Sequence, residues 1–98
     1  MVMIEDVIRI ITPILQPSPV RRVILFGSYA KGTNTANSDI DLIIDSNGQL
    51  RGMDFFSLSS ELAQALPVEA DIFEMREIKP SSDMYEIITK DGVIIYDR

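Results

Sequence analysis

Two carboxylates one residue apart, at the head of an alternating apolar run, constrain this chain more than any other feature. Residues 39–44 read Asp-Ile-Asp-Leu-Ile-Ile. An extended backbone repeats its side-chain direction every second residue, so Asp39, Asp41 and Ile43 share one face, and Ile40, Leu42 and Ile44 share the other. The two Asp Cα atoms then lie roughly 6.5–7 Å apart with their side chains on the same side. The opposite, wholly apolar face belongs against a core. Like charges on one sheet face repel and are disfavoured without compensation. A hard divalent cation such as Mg²⁺ supplies that compensation and bridges to phosphate oxygens. A plainer reading makes Asp39 a loop end and Asp41 a solvated surface residue, and an isolated Asp-x-Asp supports that reading more often than not.

What stands upstream changes the balance. Val23–Ile24–Leu25–Phe26 reads as a buried strand that runs into Gly27–Ser28, and ten residues separate Ser28 from Asp39. A glycine at a strand end turns sharply and lets backbone approach a ligand. Residues 28–31 read as a tight turn or short helix, whose free N–H groups favour a phosphate and to which the Ser28 hydroxyl adds a donor. Residues 32–38 form a polar loop. A glycine–serine step after one strand and paired carboxylates on the next describe a phosphate and metal site placed by structure rather than a chance motif.

The remaining chain supplies cover for this sheet. Ile4, Val7, Ile8, Ile11 and Leu15 recur at helical spacing, with Glu5 and Asp6 in a first turn and Pro13 expected to bend or end the helix. Ser46–Asn47–Gly48 is a turn. Phe55, Leu58, Leu62, Ala65 and Leu66 mark a second amphipathic helix ended by Pro67, and Phe55, Phe56 and Leu58 read as core rather than as a base-stacking platform. Residues 68–73 read as a third strand, with Asp71 opposite Val68, Ala70 and Ile72. Asp71 is the first candidate for a third carboxylate, and Glu69 shares its face as a lesser rival. Residues 82–90 form a last helix capped by Ser81 or Ser82 and followed by Gly92, and residues 93–96 a final short strand. The order αβαβαβ, extended by a last αβ, predicts an α+β fold: a single mixed sheet flanked by helices in one domain over residues 1–98.

Composition removes several alternatives. The 98 residues contain no Cys and no His, so disulfides, thiolate metal sites and imidazole catalysis are excluded and chemistry falls to carboxylates, hydroxyls, Lys and Arg. Nine basic residues against fifteen acidic ones give a net charge of −6, which disfavours broad binding to nucleic acid. It does not oppose a triphosphate, because bound cations reverse the charge of a carboxylate cluster. The apolar N-terminal segment is broken by Glu5, Asp6 and Arg9, unlike a signal peptide or membrane span, so a cytoplasmic protein is expected. Arg21–Arg22 reads as a solvated strand end, and Met53, Met75 and Met84 as gap-filling core or surface residues.

The segment Leu25–Phe26–Gly27–Ser28–Tyr29–Ala30–Lys31–Gly32, followed by Ser38–Asp39–Ile40–Asp41–Leu42–Ile43, resembles the signature of the DNA polymerase beta-like nucleotidyltransferases, and most closely the minimal nucleotidyltransferase (MNT) family. Asp91–Gly92–Val93–Ile94–Ile95–Tyr96 is similar to that family's closing strand. The resemblance implies that Gly27 and Ser28 hold phosphate, that Asp39 and Asp41 hold two Mg²⁺ ions, and that Asp71 is the third carboxylate, near the acceptor. Lys31 is either a phosphate contact or an exposed loop lysine.

The activity so implied is Mg²⁺-dependent transfer of a nucleoside monophosphate, AMP from ATP, onto an acceptor hydroxyl. A chain this short leaves no residues for an acceptor-binding domain, so the acceptor is expected on a partner protein or at a subunit interface. The resemblance extends to antitoxins paired with all-helical HEPN ribonuclease toxins. A non-catalytic antitoxin that binds nucleotide, and an enzyme acting on a small molecule such as an aminoglycoside, are the rival readings.

Overall fold

Residues 2–98 are described by a computed structural model of the chain. Helix α1 (Ile4–Leu15) turns Val7, Ile11 and Leu15 inward, all fully buried. Its first turn is closed by Asp6, whose Oδ2 accepts from the Met3 N–H at 2.9 Å. Pro13 neither stops α1 nor precedes its end immediately, for the helix continues to Leu15. Proline forfeits one helical hydrogen bond, and the buried Leu15 anchor beyond it offsets that loss.

Strand β1 (Arg22–Phe26) leads through Gly27 into the single turn α2 (Ser28–Lys31). Strand β2 (Ile40–Asp45), helix α3 (Met53–Ala65) and strand β3 (Ala70–Glu74) form a unit in which α3 is the crossover that parallel strands require. A 3-10 turn (Met75–Glu77) that the sequence reading omits precedes α4 (Asp83–Asp91) and β4 (Val93–Asp97). Ser82 caps α4, its Oγ accepting from the Tyr85 N–H at 3.2 Å. The third strand begins and ends later than residues 68–73, because Glu74 continues the ladder opposite Ile44.

The sheet order is β3-β2-β1-β4, with β1 antiparallel to both neighbours and β2 parallel to β3. The fold is therefore the mixed, helix-flanked sheet expected from the element order. Val23, Leu25, Ile40, Leu42 and Ile44 share one core cluster with the inward faces of α1 and α3, where Leu58 and Leu62 are buried. A smaller cluster on the other face joins Phe26 and Ile43 to Ile88 of α4. Phe55 packs against the larger core, but Phe56 is 62% exposed and does not join it, since it lies one helical step round from Phe55 on the outer side of α3. Met53 is likewise exposed, while Met75 and Met84 pack against the smaller cluster. Among the described residues no helix is long and apolar enough to cross a membrane.

Candidate active site

The ladder aligns a row of residues across the sheet: Phe26 of β1 opposes Asp41 of β2, and Asp41 opposes Asp71 of β3. Opposed residues point to the same face, so the row sets Asp41 and Asp71 side by side next to the end of β1. Beside them on the same face lies an apolar patch of Phe26, Ile43 and Phe73, with the two aromatic rings 6.1 Å apart between centroids and tilted by 48°. Asp39 precedes β2 by one residue and is exposed, as is Asp71, whereas Asp41 is half-buried. Glu69, the rival for the third carboxylate, precedes β3 and is exposed; its backbone carbonyl accepts from the Ile40 N–H at 2.8 Å.

Burial pushes the Asp41 carboxyl above the ordinary carboxylate range, and the neighbouring Asp71 and Asp39 charges and the Asp71 carboxyl's close approach push it further. None of the three carboxylates is in an ion pair with a basic side chain among the described residues. An acidic group of this kind, short of cations and made only of hard oxygen donors, fits a hard divalent ion. The three carboxylates do not form a closed metal cage by themselves; among the described residues no group of three Asp or Glu side chains is gathered tightly enough for that. Mg²⁺ does not demand one, since it is commonly held by one or two carboxylates together with substrate phosphates and water.

Gly27 completes the geometry. Its φ of +75° belongs to the region that non-glycine residues avoid, and a Cβ there would collide with the Asp41 carboxylate. The backbone at the end of β1 thus passes directly against the carboxylate, and Ser28, half-buried, opens α2 beside it. The first N–H groups of a helical turn have no partners within it, which leaves donors for an anion. Lys31 closes the same turn, and its Nζ lies 4.0 Å from Asp91 Oδ2 at the end of α4, both side chains about half exposed. The sequence reading missed Asp91 as the partner of Lys31, and no local pattern signals a pair sixty residues apart.

The backbone of Gly27 lies against the Asp41 carboxylate, and register sets Asp41 beside Asp71. Residues 9–98 match the family described as polymerase beta, nucleotidyltransferase. The chain belongs to that family. This nucleotidyltransferase is 34% identical over 77 residues to a candidate protein adenylyltransferase of Methanocaldococcus jannaschii, MJ0435, covering 79% of this chain and 83% of that one. Among solved structures, it superimposes on a chain of a toxin–antitoxin complex crystallised with AMP-PNP, with a TM-score of 0.74 and 23% identity over 99% of this chain and 75% of that one. A second neighbour comes from a tri-AMPylated Shewanella oneidensis HEPN toxin in complex with an MNT antitoxin, with a TM-score of 0.72 and 20% identity over 98% and 74% of the two chains. At these identities the structural matches speak for the nucleotidyltransferase fold.

Proposed function

We propose that this nucleotidyltransferase acts as one domain that moves AMP from ATP onto a hydroxyl of a partner protein, as the antitoxin of a pair whose toxin is an all-helical HEPN ribonuclease. The reading rests foremost on the register that sets Asp41 beside Asp71 against the backbone of Gly27. The M. jannaschii relative bears the name of a candidate protein adenylyltransferase, and one fold neighbour sits in a complex whose toxin is AMPylated. Both support a protein acceptor over a small molecule.

In this reading the backbone at Gly27–Ser28 and the Ser28 hydroxyl bind the triphosphate, and Lys31, released from Asp91, meets its outer phosphates. Asp39, Asp41 and Asp71 would hold two Mg²⁺ ions, which when bound neutralise the triphosphate and favour the ionised acceptor. The acceptor oxygen forms a bond to the α-phosphorus as the bond from that phosphorus to the bridging oxygen breaks, and pyrophosphate leaves. Asp71, on the outer strand, lies on the acceptor side and takes the hydroxyl proton. The chain's contribution is alignment and charge placement, the usual sources of rate in such transfers. The protein works in the cytoplasm without contacting nucleic acid, a role in keeping with its net charge of −6.

The test is to purify the protein together with the product of its neighbouring gene and supply each of the four α-labelled nucleoside triphosphates with Mg²⁺. Label should pass from ATP to the partner in the wild type and not in Asp41→Asn. Transfer from none of the four nucleotides would sink the catalytic reading.

A further inference from the structure

The sheet ends at β3, and beyond Asp71 the chemistry of nucleotidyl transfer makes no use of this margin. The Ile40 N–H bonds to the Glu69 carbonyl at 2.8 Å. In a parallel ladder that begins so, Asp71 and Phe73 turn their N–H and C=O groups toward β2, and Ala70 and Ile72 turn theirs away. These outward groups meet no backbone partner among the described residues. Side chains alternate as well. Asp71 and Phe73 stand on the carboxylate face. Ala70, Ile72 and Glu74 stand on the face covered by α3, where the buried Glu74 accepts from Ser46 Oγ at 3.3 Å.

The two margins of the sheet are built differently. β4 carries a bulge against Val23 and Ile24 and ends in Asp97, with Arg98 after it, devices that discourage a further strand. β3 runs in register with β2 from Ala70 to Glu74 without a shift, and no proline interrupts it. Its free edge is thus a regular template of backbone donors and acceptors. Between β3 and α3 lies a trough of about 180 Å³ lined by Ser59, Ser60, Ala63, Ala70 and Ile72. That is smaller than the roughly 300–1,000 Å³ of small-ligand sites and suits a single side chain.

We propose that the acceptor arrives on an extended segment of the partner protein that adds to β3 as a further strand, a step that rests on transfer to a partner as inferred above. A segment running antiparallel exchanges backbone hydrogen bonds with Ala70 and Ile72. The residue between those bonds then stands directly opposite Asp71, in the type of pair whose Cα atoms are about 4.5 Å apart and whose side chains approach most closely. It points to the carboxylate face, so a hydroxyl there is delivered beside Asp71. Its neighbours point to the other face, where an apolar side chain enters the trough and meets Ala63 and Ile72. The recognised segment is therefore an extended run with a hydroxyl residue between apolar ones, and main-chain bonds supply affinity as in other strand additions. A second copy of this chain fits less well, because it would set another acidic strand, with its own Asp71, against this one.

The test follows amide hydrogen exchange by NMR in the isotopically labelled chain, free and in complex with the product of its neighbouring gene, with Mg²⁺ and a non-hydrolysable ATP analogue. The Ala70 and Ile72 amides should exchange at least about tenfold more slowly in the complex, because each gains a hydrogen bond. The Asp71 and Phe73 amides, already in the ladder, serve as references. Ala70→Pro removes an outward donor at the first position of a strand, where proline is tolerated. It should cut label transfer to the partner at least about tenfold and leave ATP affinity unchanged. Ser60→Phe fills the trough from α3, should have the same effect, and decides the matter should the proline variant fail to fold. A wild type that transfers no label defeats the proposed reaction, while exchange at Ala70 and Ile72 still decides the docking. Unchanged exchange at those two amides, or full transfer by either folded variant, would overturn the proposal.

Discussion

On one face of the sheet Leu25, Ile40, Leu42 and Ile44 are fully buried beneath α1 and α3, while on the other the short helix α4 covers Ile43 and leaves Asp41, two residues earlier, half-exposed. The same strand supplies both. Its closed face contributes stability through apolar area removed from water, and its open face spends part of that stability on holding like charges close together. The difference teaches how so small a chain carries a charged site: the carboxylates ride on a strand already fixed from behind.

The comparison is tested most severely on the closed face. Leu42→Ala leaves a cavity at a fully buried position and should destabilise the fold by about 2–5 kcal/mol, read by chemical denaturation, with nucleotide affinity per folded molecule unchanged. A loss of affinity in the folded fraction would show that the faces are not separable.

Gly27→Val reverses that pattern. The new side chain meets the Asp41 carboxylate and a backbone at φ +75°, so stability should fall by about 1–3 kcal/mol and ATP binding with Mg²⁺ should vanish by calorimetry. Wild-type affinity in a folded Gly27→Val protein would remove the phosphate assignment.

Asp41→Asn should abolish transfer while leaving the ligand-free protein as stable as wild type or more so. The pH dependence gives the sign independently. Burial, Asp71 and Asp39 raise the Asp41 carboxyl in the folded state, so the native form keeps its proton to higher pH than the unfolded chain. Stability from this group is complete below the ordinary Asp value of 3.8 and declines as pH rises through the raised one. Glu74, also raised, contributes a decline of the same sign, so the informative quantity is the difference between wild type and Asp41→Asn in melts across that range. Parallel curves would mean that Asp41 is an ordinary surface carboxylate.

The smallest effect belongs to Lys31. Its contact with Asp91 is long and exposed, so Lys31→Ala should change stability by no more than about 0.5 kcal/mol, while weakening nucleotide binding if the lysine meets phosphate. An unchanged ATP affinity in this variant returns Lys31 to the solvated surface.

Much of this arrangement is legible in the sequence because it is periodic. The alternation from Asp39 to Ile44 assigns both faces of β2 before any contact is known, and helical spacing in α1 and α3 identifies what lies behind them. Periodicity is silent about pairing. That Asp41 stands opposite Asp71, and not one residue away, is set by a ladder between strands joined through a helix, and nothing local encodes it. Phe56 shows the reverse error, where a strong local signal loses to tertiary packing: the outer side of α3 needs no ring. The inward carboxyl of Glu74 was readable from its place in step with Ala70 and Ile72, had the third strand been carried one residue further.

The pairing of β4 with β1 has a consequence for how the protein is made. Strand β4 lies against β1, one of the two inner strands of the sheet, and the bond from the Arg98 N–H to the Arg21 carbonyl, 2.9 Å, fastens it there. On the ribosome, α1 and the β2–α3–β3 unit emerge before β4 and can begin to pack, yet β1 keeps one naked edge until β4 has left the exit tunnel. Contacts between distant parts of a chain form slowly, and an exposed strand edge invites pairing with other chains. The nascent protein therefore passes through a stage in which an inner strand of its sheet is open to a neighbour, and only the arrival of β4 closes it.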